Sequence, residues 1–479
     1  MESKKQLTRR DFLKLTAVVS TGALVAACAP TAAPTAAPTA APAAKQPAAP
    51  TAAPTAAPAA TAVPPTKAPA PTAAPAAGKK LTLRWATNYV GNHAMAAPTR
   101  ELLKKFQADY SNVTIEIEES PGNDHQTKIK LDASSDRLPD VFNYWRMDPA
   151  FGLDQIVDAG KLADLSEWTK SDAFFKDLFE DSAWRTASRN NKVHGIPTLM
   201  FFVQFIANKD VLDRAGVKPP STYEELLAAV KALKGKGELP WGMAAKNGGH
   251  TIRGYNYVFN RMFGNQRAMN MHAGKEPYNV PEAPKAAQFI QELFVGNIPE
   301  DAIALDENAV LAKYINTGKA AFAIDGSWEN PNITKEIQEK MLVLEFPLVP
   351  GGAEKEKGIE KDLTNLWYVN GKSWADADKQ PVIKELLKRL SSRDAGKVYA
   401  EVGQQPIPMR GTVVDAAKVG KLAEASQKLA QERPGNKYIP TVMAPDVSAK
   451  FGPLVAEFFN GKYPPDKFVE EMAKVVKPA

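Results

Sequence analysis

Five histidines, one cysteine and many carboxylates are the residues of this 479-residue chain that could do covalent or metal chemistry. Their spacing does not assemble it. His93, His125, His194, His250 and His272 stand far apart, with no pair at the H-E-x-x-H spacing that holds a metal. There is no Gly-x-Ser-x-Gly nucleophile elbow and no Gly-x4-Gly-Lys-Ser/Thr phosphate loop. A glycosidase would need two carboxylates at a set separation in space. What the chain does offer is planar rings beside polar groups. Asn88-Tyr89, Asn143-Tyr144-Trp145-Arg146, Asp325-Gly326-Ser327-Trp328 and Asn365-Leu366-Trp367 are such clusters, with Phe201 and Asn247 as weaker candidates. Rings give flat apolar faces, and tryptophan adds an N–H donor. Arg146 could make a forked pair with an anion or with hydroxyls. Pockets for small molecules combine apolar walls with a few placed polar groups. These clusters are candidate ligand contacts, and the spacing points to no cofactor and no metal.

These clusters sit at the ends of predicted strands. Leu81, Leu83 and Trp85 alternate with polar residues, which is strand periodicity, and Asn88-Tyr89 follows directly. A helical pattern after Pro98 (Leu102, Leu103, Phe106, Tyr110) leads to a second alternating strand, Val113, Ile115, Ile117. Strand, helix, strand argues for a parallel sheet with crossover helices. A helix is expected over 126–134, then a short strand at Val141-Phe142 ending in Asn143. In open α/β sheets ligands bind at such strand ends. The apolar run Ile196–Ile206 reads as one buried strand. Asn208 opens a helix, and Thr222-x-x-Glu225 is a capping box before Leu226. Strands are expected at Ala320–Ile324, Leu342–Phe346 and Leu366–Val369. Helices are expected at 289–294, 310–315, 382–390, 416–429, 448–459 and 466–475. Asp325 reads equally as a ligand group or as the N-cap of a following helix. The fold class is α/β.

The first 78 residues have a separate logic. A basic start with Arg9-Arg10-Asp11-Phe12-Leu13-Lys14 precedes a short apolar stretch ending in Val25-Ala26-Ala27-Cys28. The stretch is shorter than the ~20 residues that cross a bilayer and has the layout of a cleavable signal. The arginine pair resembles a twin-arginine signal, and the residues before Cys28 resemble a lipobox. That likeness implies lipidation of Cys28, the single cysteine, so residues 1–27 read as signal peptide. Residues 28–78 are mostly Ala, Pro and Thr, too poor in apolar surface to fold. They read as a disordered tether with a reach on the order of 100–150 Å.

The formal charge of +6 belongs mainly to this leader. The signal carries +3 and the tether Lys45 and Lys67, which leaves +1 for residues 79–479. A near-neutral folded part has no electrostatic case for nucleic acid. Its 401 residues exceed one simple core and favour two domains.

The order of motifs after Lys79 resembles the family 1 extracellular solute-binding proteins, the sugar-binding lipoproteins of ABC importers. The pieces are the opening strand and helix with Asp109-Tyr110-Ser111-Asn112-Val113; Leu138-Pro139-Asp140-Val141-Phe142 with Ala159-Gly160-Lys161-Leu162; Asn191-Lys192-Val193-His194-Gly195-Ile196-Pro197 with Asn208-Lys209-Asp210; Thr317-Gly318-Lys319-Ala320 through Trp328; and Phe346-Pro347-Leu348-Val349-Pro350-Gly351-Gly352. The resemblance implies a two-lobed periplasmic-binding-protein type II fold with a ligand cleft between lobes that close by hinge motion. Crossings near Met200, Pro350 and Arg410 would divide it into 79–200 plus 350–410 and 201–349 plus 411–479. It further implies an extracytoplasmic monomer, anchored to the cell membrane through a lipid on Cys28, that delivers a mono- or oligosaccharide to ABC permease subunits. The family position matching Trp328 often lines the cleft. The expected ligand set is then Trp328, Asp325, Asn88, Tyr89, Tyr144, Trp145, Arg146, Trp367, Asn247 and Phe201. A secreted carbohydrate-active enzyme and a purely structural surface lipoprotein are the alternatives.

Overall fold

A computed structural model of the chain describes residues 79–91, 93–145 and 152–477, with the side chains of Asn123 and Asn247 also outside the described set. The leader, Cys28, the tether and Arg146 lie outside the described residues.

Two separate sheets organise the described chain. The first has the order β2-β1-β3-β12-β6, from β1 (Leu81–Thr87), β2 (Val113–Glu119), β3 (Val141–Trp145), β6 (Gly195–Pro197) and β12 (Asn365–Val369). β1 runs parallel to β2 and β3, and β12 runs antiparallel to β3 and β6. The parallel part is made as the alternation requires: Leu83 and Trp85 point into a core with Leu103 and Phe106 of the helix Ala96–Asp109. A small hairpin, β4 (Ser188–Arg189) and β5 (Lys192–Val193), stands apart.

The second sheet has the order β13-β11-β7-β9-β8, with β10 also on β7. Its strands are β7 (Met200–Asn208), β8 (Leu239–Trp241), β9 (Ala320–Gly326), β10 (Met341–Leu344), β11 (Ile359–Leu363) and β13 (Gly435–Asn436). Its core is aromatic. Phe205, Trp241 and Phe322 meet at centroid distances of 5.2–5.6 Å, each fully buried. Burial of one such ring is worth roughly 2–3 kcal/mol. Trp241 satisfies its N–H on Leu293 O at 2.8 Å. The helix Tyr223–Gly235 carries the expected capping box: Thr222 Oγ1 accepts from Glu225 N, and the Glu225 carboxylate accepts from Thr222 N.

Two expectations differ in an informative way. The run Ile196–Ile206 is not one strand. It breaks at Thr198-Leu199, giving β6 to the first sheet and β7 to the second. An apolar run reads the same whether one core or two take it up. The expected helix 416–429 is two helices, Ala416–Val419 and Lys421–Glu432, because Gly420 adopts φ +86° and ends the first.

The break in the first run is a crossing between the sheets. The return crossing lies at Thr364, between β11 and β12, later in the chain than Pro350. The two crossings run side by side: Thr364 N donates to Leu199 O at 3.0 Å, and Leu199 N to Asn365 O at 3.4 Å. A third segment joins them, with Met200 N donating to Pro406 O at 3.1 Å. Beyond it, Met409 still packs in the first core while Leu422 packs against Ile206 and Ala323 of the second sheet.

Candidate solute site at the facing strand ends

Strand directions fix which residues meet at the crossings. β1 and β3 end there, and antiparallel β12 begins there, which brings Asn88, Asn143, Trp145 and Asn365 to one end of the first sheet. On the second sheet β7 begins at the crossing, β11 ends at it, and β9 ends opposite Val203. That places Phe201, Asp325, Trp328 and Asp362 at the facing end.

The first-sheet side is an amide cluster. Asn143 Nδ2 donates to Asn88 Oδ1, and Asn88 N donates to Asn143 Oδ1 at 3.2 Å. Asn365 Nδ2 reaches Tyr89 Oη at 3.1 Å and Asn88 Oδ1 at 3.5 Å. All four residues are buried, and burial pushes the Tyr89 phenol far up. His125 lies beneath. Its Nε2–H donates to Asn143 O at 2.9 Å, and its Nδ1 accepts from Ser120 Oγ at 3.1 Å. This neutral tautomer agrees with burial lowering its pKa to about 4. Trp145 is half-buried, edge-on to His125 at 5.9 Å.

The second-sheet side is charged. The helix Gly249–Phe263 is buried on every side, yet it carries His250, Arg253, Asn256 and Tyr257 at helical spacing toward β7, β9 and β11. Arg253 Nη1 donates to Asp325 Oδ1 at 2.9 Å and Nη2 to Glu307 Oε1 at 2.7 Å. Burial opposes the guanidinium charge, but Glu307 and Asp325 outweigh it and hold its pKa above the ordinary arginine range. Asn256 Nδ2 donates to Glu360 Oε2 at 2.8 Å, and Tyr257 Oη to Val203 O at 2.8 Å. Burial raises the Glu360 carboxyl to about 7. Glu329 also rises to about 7, from burial and then the neighbouring Asp325 charge. Trp328 is half-buried, with Arg253 Cζ 4.9 Å from its ring centroid and Phe201 tilted against it at 6.0 Å.

His250, Glu307 and Asp325 bring metal-ligand atoms within 4.8 Å of one another. Their hydrogen bonding does not suit a cation. Arg253 already holds both carboxylates. His250 Nδ1 accepts from Ala244 N at 2.9 Å, so its proton sits on Nε2, 3.1 Å from Asp325 Oδ2 and off-line for a hydrogen bond. A protonated ring nitrogen cannot ligate a metal. The set is an ion-pair network around Arg253.

The structure thus brings Asn88, Tyr89, Trp145, Asp325, Phe201 and Trp328 to the facing ends, in different roles. Asp325 is not a helix cap: its Oδ1 accepts from Arg253 Nη1 and Gly326 N, and its Oδ2 stands 3.1 Å from His250 Nε2. Phe201 is buried behind Trp328. Trp367 does not face the cleft. It lies one pleat deeper than Asn365 on the same strand face, fully buried, with its ring 5.3 Å from Trp85. Tyr144 points to the opposite face, in a core with Phe142 and Tyr368. Asn247 lies in the short turn Lys246–Gly248. Arg253, Glu307, Asn256, Glu360 and Asn365 were not among the expected residues. The signal that could have found the first is the spacing of His250, Arg253 and Tyr257, a polar stripe on an otherwise apolar helix.

A cavity of about 760 Å³ lies elsewhere, at the opposite end of β9, lined by Arg214, Glu238, Asp301, Lys313 and Tyr314. Four of its charges pair among themselves, Lys313 with Asp301 and Arg214 with Glu238.

A family model for bacterial extracellular solute-binding proteins matches residues 91–397. The chain belongs to this family. Among curated relatives of this solute-binding protein, the multiple sugar-binding protein of Streptococcus mutans is 22% identical over 342 residues, spanning 67% of this chain and 74% of its own. Among solved structures, a chitin oligosaccharide binding protein superposes with a TM-score of 0.72 at 19% identity, over 83% of this chain and 98% of that one. The maltose-bound MalE3 of T. maritima does so with 0.63 at 18%, over 83% and 99%. These structures share the two-lobed fold.

Proposed function

We propose that this solute-binding protein is the capture component of an ABC importer, taking a mono- or oligosaccharide between its lobes and presenting it to the permease without turnover. The observation that carries the reading is that the half-buried Trp328 ring stands at one set of strand ends and the Asn88–Asn143–Asn365 amide cluster at the other, both beside the crossings between the sheets. A sugar needs both a ring for its C–H face and amides for its hydroxyls. The sugar-binding relatives, the chitin oligosaccharide binding protein and the maltose-bound structure of similar fold support the ligand class.

The lobes meet at the Leu199–Met200 and Leu363–Asn365 crossings, which we assign as the hinge, with the segment around Pro406 as its third strand. Two signals in the leader, Arg9-Arg10 and Cys28, support export and a lipid anchor. The near-neutral folded part supports a role that involves no nucleic acid. The test is isothermal calorimetry of the protein against maltose and chitin oligosaccharides. Saturable binding of one sugar without hydrolysis supports the reading; slow cleavage of the sugar would instead favour a carbohydrate-active enzyme.

A further inference from the structure

We infer that Gly326 and Arg253 are positioning residues for Trp328: together they fix the indole in one orientation at the end of β9. The inference rests on the reading of Trp328 as a ligand contact.

Gly326 closes β9, two residues before Trp328, with φ −84° and ψ 154°. This is ordinary extended backbone that alanine adopts freely, so the glycine is not there for its conformational range. It is there for space. A Cβ on Gly326 would stand 2.2 Å from Cη2 and Cζ3 of Trp328 and 2.3 Å from Cζ2. The three nearly equal distances to consecutive benzo carbons put that point over the face of the six-membered ring, so the glycine backbone packs against the indole face where any other residue at 326 would place its side chain. The strand end and the ring are one fitted unit.

Arg253 supplies the second constraint. Its guanidinium lies over the ring, 4.9 Å from Cζ to centroid, and cannot swing away. Asp325 and Glu307 hold Nη1 and Nη2 separately, at 2.9 and 2.7 Å. Asp325 itself is in β9, adjacent to Gly326, and accepts Gly326 N at 2.7 Å. The same short segment thus anchors the arginine and seats the ring. A cation held over one face of an indole is attracted by the ring quadrupole and takes that face from any solute.

The test is ligand-independent first. In full-length protein labelled with 5-fluorotryptophan, the Trp328 fluorine signal is identified by its loss in Trp328→Phe. Gly326→Ala, whose backbone is unstrained, is expected to shift that signal by more than its linewidth and to increase its solvent isotope effect, while the Trp241 signal stays in place. Arg253→Gln is expected to broaden the same signal. A Trp328 signal unmoved in Gly326→Ala overturns the inference, whatever Arg253→Gln does. Calorimetry with maltose and chitin oligosaccharides then separates the two readings. Loss of at least tenfold in affinity in both Trp328→Ala and Gly326→Ala, with no further loss in the double variant, supports both. Unchanged affinity in Trp328→Ala removes the ring from the solute site, and the fluorine signal alone then decides the positioning. Tenfold loss in Trp328→Ala with full affinity in Gly326→Ala overturns the positioning and leaves the site standing.

Discussion

Arg253 lies over the ring of Trp328, 4.9 Å from guanidinium carbon to centroid, while Asp325 and Glu307 grip its two terminal nitrogens. The contact links a buried charge network to a half-exposed ring. It explains how a strand end with one aromatic side chain becomes a rigid surface. The network, not the ring, bears the energetic risk, because a buried ion pair stabilises only while each member keeps its partner.

Trp328→Ala should weaken sugar binding at least tenfold and leave the melting temperature nearly unchanged. One stacking contact contributes about 0.5–1.5 kcal/mol beyond burial, and tenfold corresponds to about 1.4 kcal/mol. Calorimetry and thermal denaturation on the same sample check both halves.

Asp325→Asn should behave in the opposite sense. It keeps an amide oxygen that can accept from Arg253 but removes the charge, leaving a buried guanidinium with Glu307 as its one charged hydrogen-bond partner. The expected cost is about 3 kcal/mol, read from urea denaturation. The control is Thr222→Ala, which deletes one cap interaction far from the site. About 1 kcal/mol of stability should be lost there with no change in affinity.

Glu360 gives a pH signature. Its carboxyl titrates at about 7 in the folded chain, against an ordinary 4.5, chiefly because it is buried. The folded state therefore holds a proton between these values that the unfolded state has released, so this group makes stability fall as pH rises from about 4.5 to about 7. Glu360→Gln keeps an acceptor for Asn256 without the charge. It should be more stable than the parent at pH 8, by up to about 3 kcal/mol for a shift of that size, and equal to it near pH 4. Denaturation curves for the two proteins across that range provide the check.

Asn365→Ala tests the facing side. It strips Tyr89 Oη and Asn88 Oδ1 of a donor in a buried cluster, and unmet buried groups cost about 1–3 kcal/mol. Stability and sugar affinity should fall together, unlike in Trp328→Ala. Denaturation and calorimetry distinguish the two patterns.

The fold was legible in the sequence where periodicity and punctuation carry it. Leu81–Trp85, Val113–Ile117 and the Thr222 cap read directly, since alternation and capping are local. The passage between the sheets was not legible in the residues themselves: Ile196–Ile206 is uniformly apolar, nothing local marks Thr198-Leu199, and the crossing expected near Met200 came only from the family resemblance. The candidate site was legible only in part. Rings and amides at strand ends pointed to Asn88, Tyr89, Trp145 and Trp328. Trp367 was misread because Asn365 and Trp367 share a strand face, and only three-dimensional depth separates the amide at the end from the ring in the core. Arg253 was missed because its partners, Asp325 and Glu307, are more than fifty residues away in sequence.

The central claim is that a sugar is captured between the two lobes. The most direct measurement is a distance across the cleft, by electron spin resonance between labels at exposed Asp124 and Lys246 in the full-length chain with Cys28 replaced by serine. Saturating amounts of the sugar bound in calorimetry should shift the population to a shorter, narrower distance distribution, and Trp328→Ala should need at least tenfold more sugar for the same shift. A sugar that binds tightly and leaves the distribution unchanged would contradict capture by closure between the lobes.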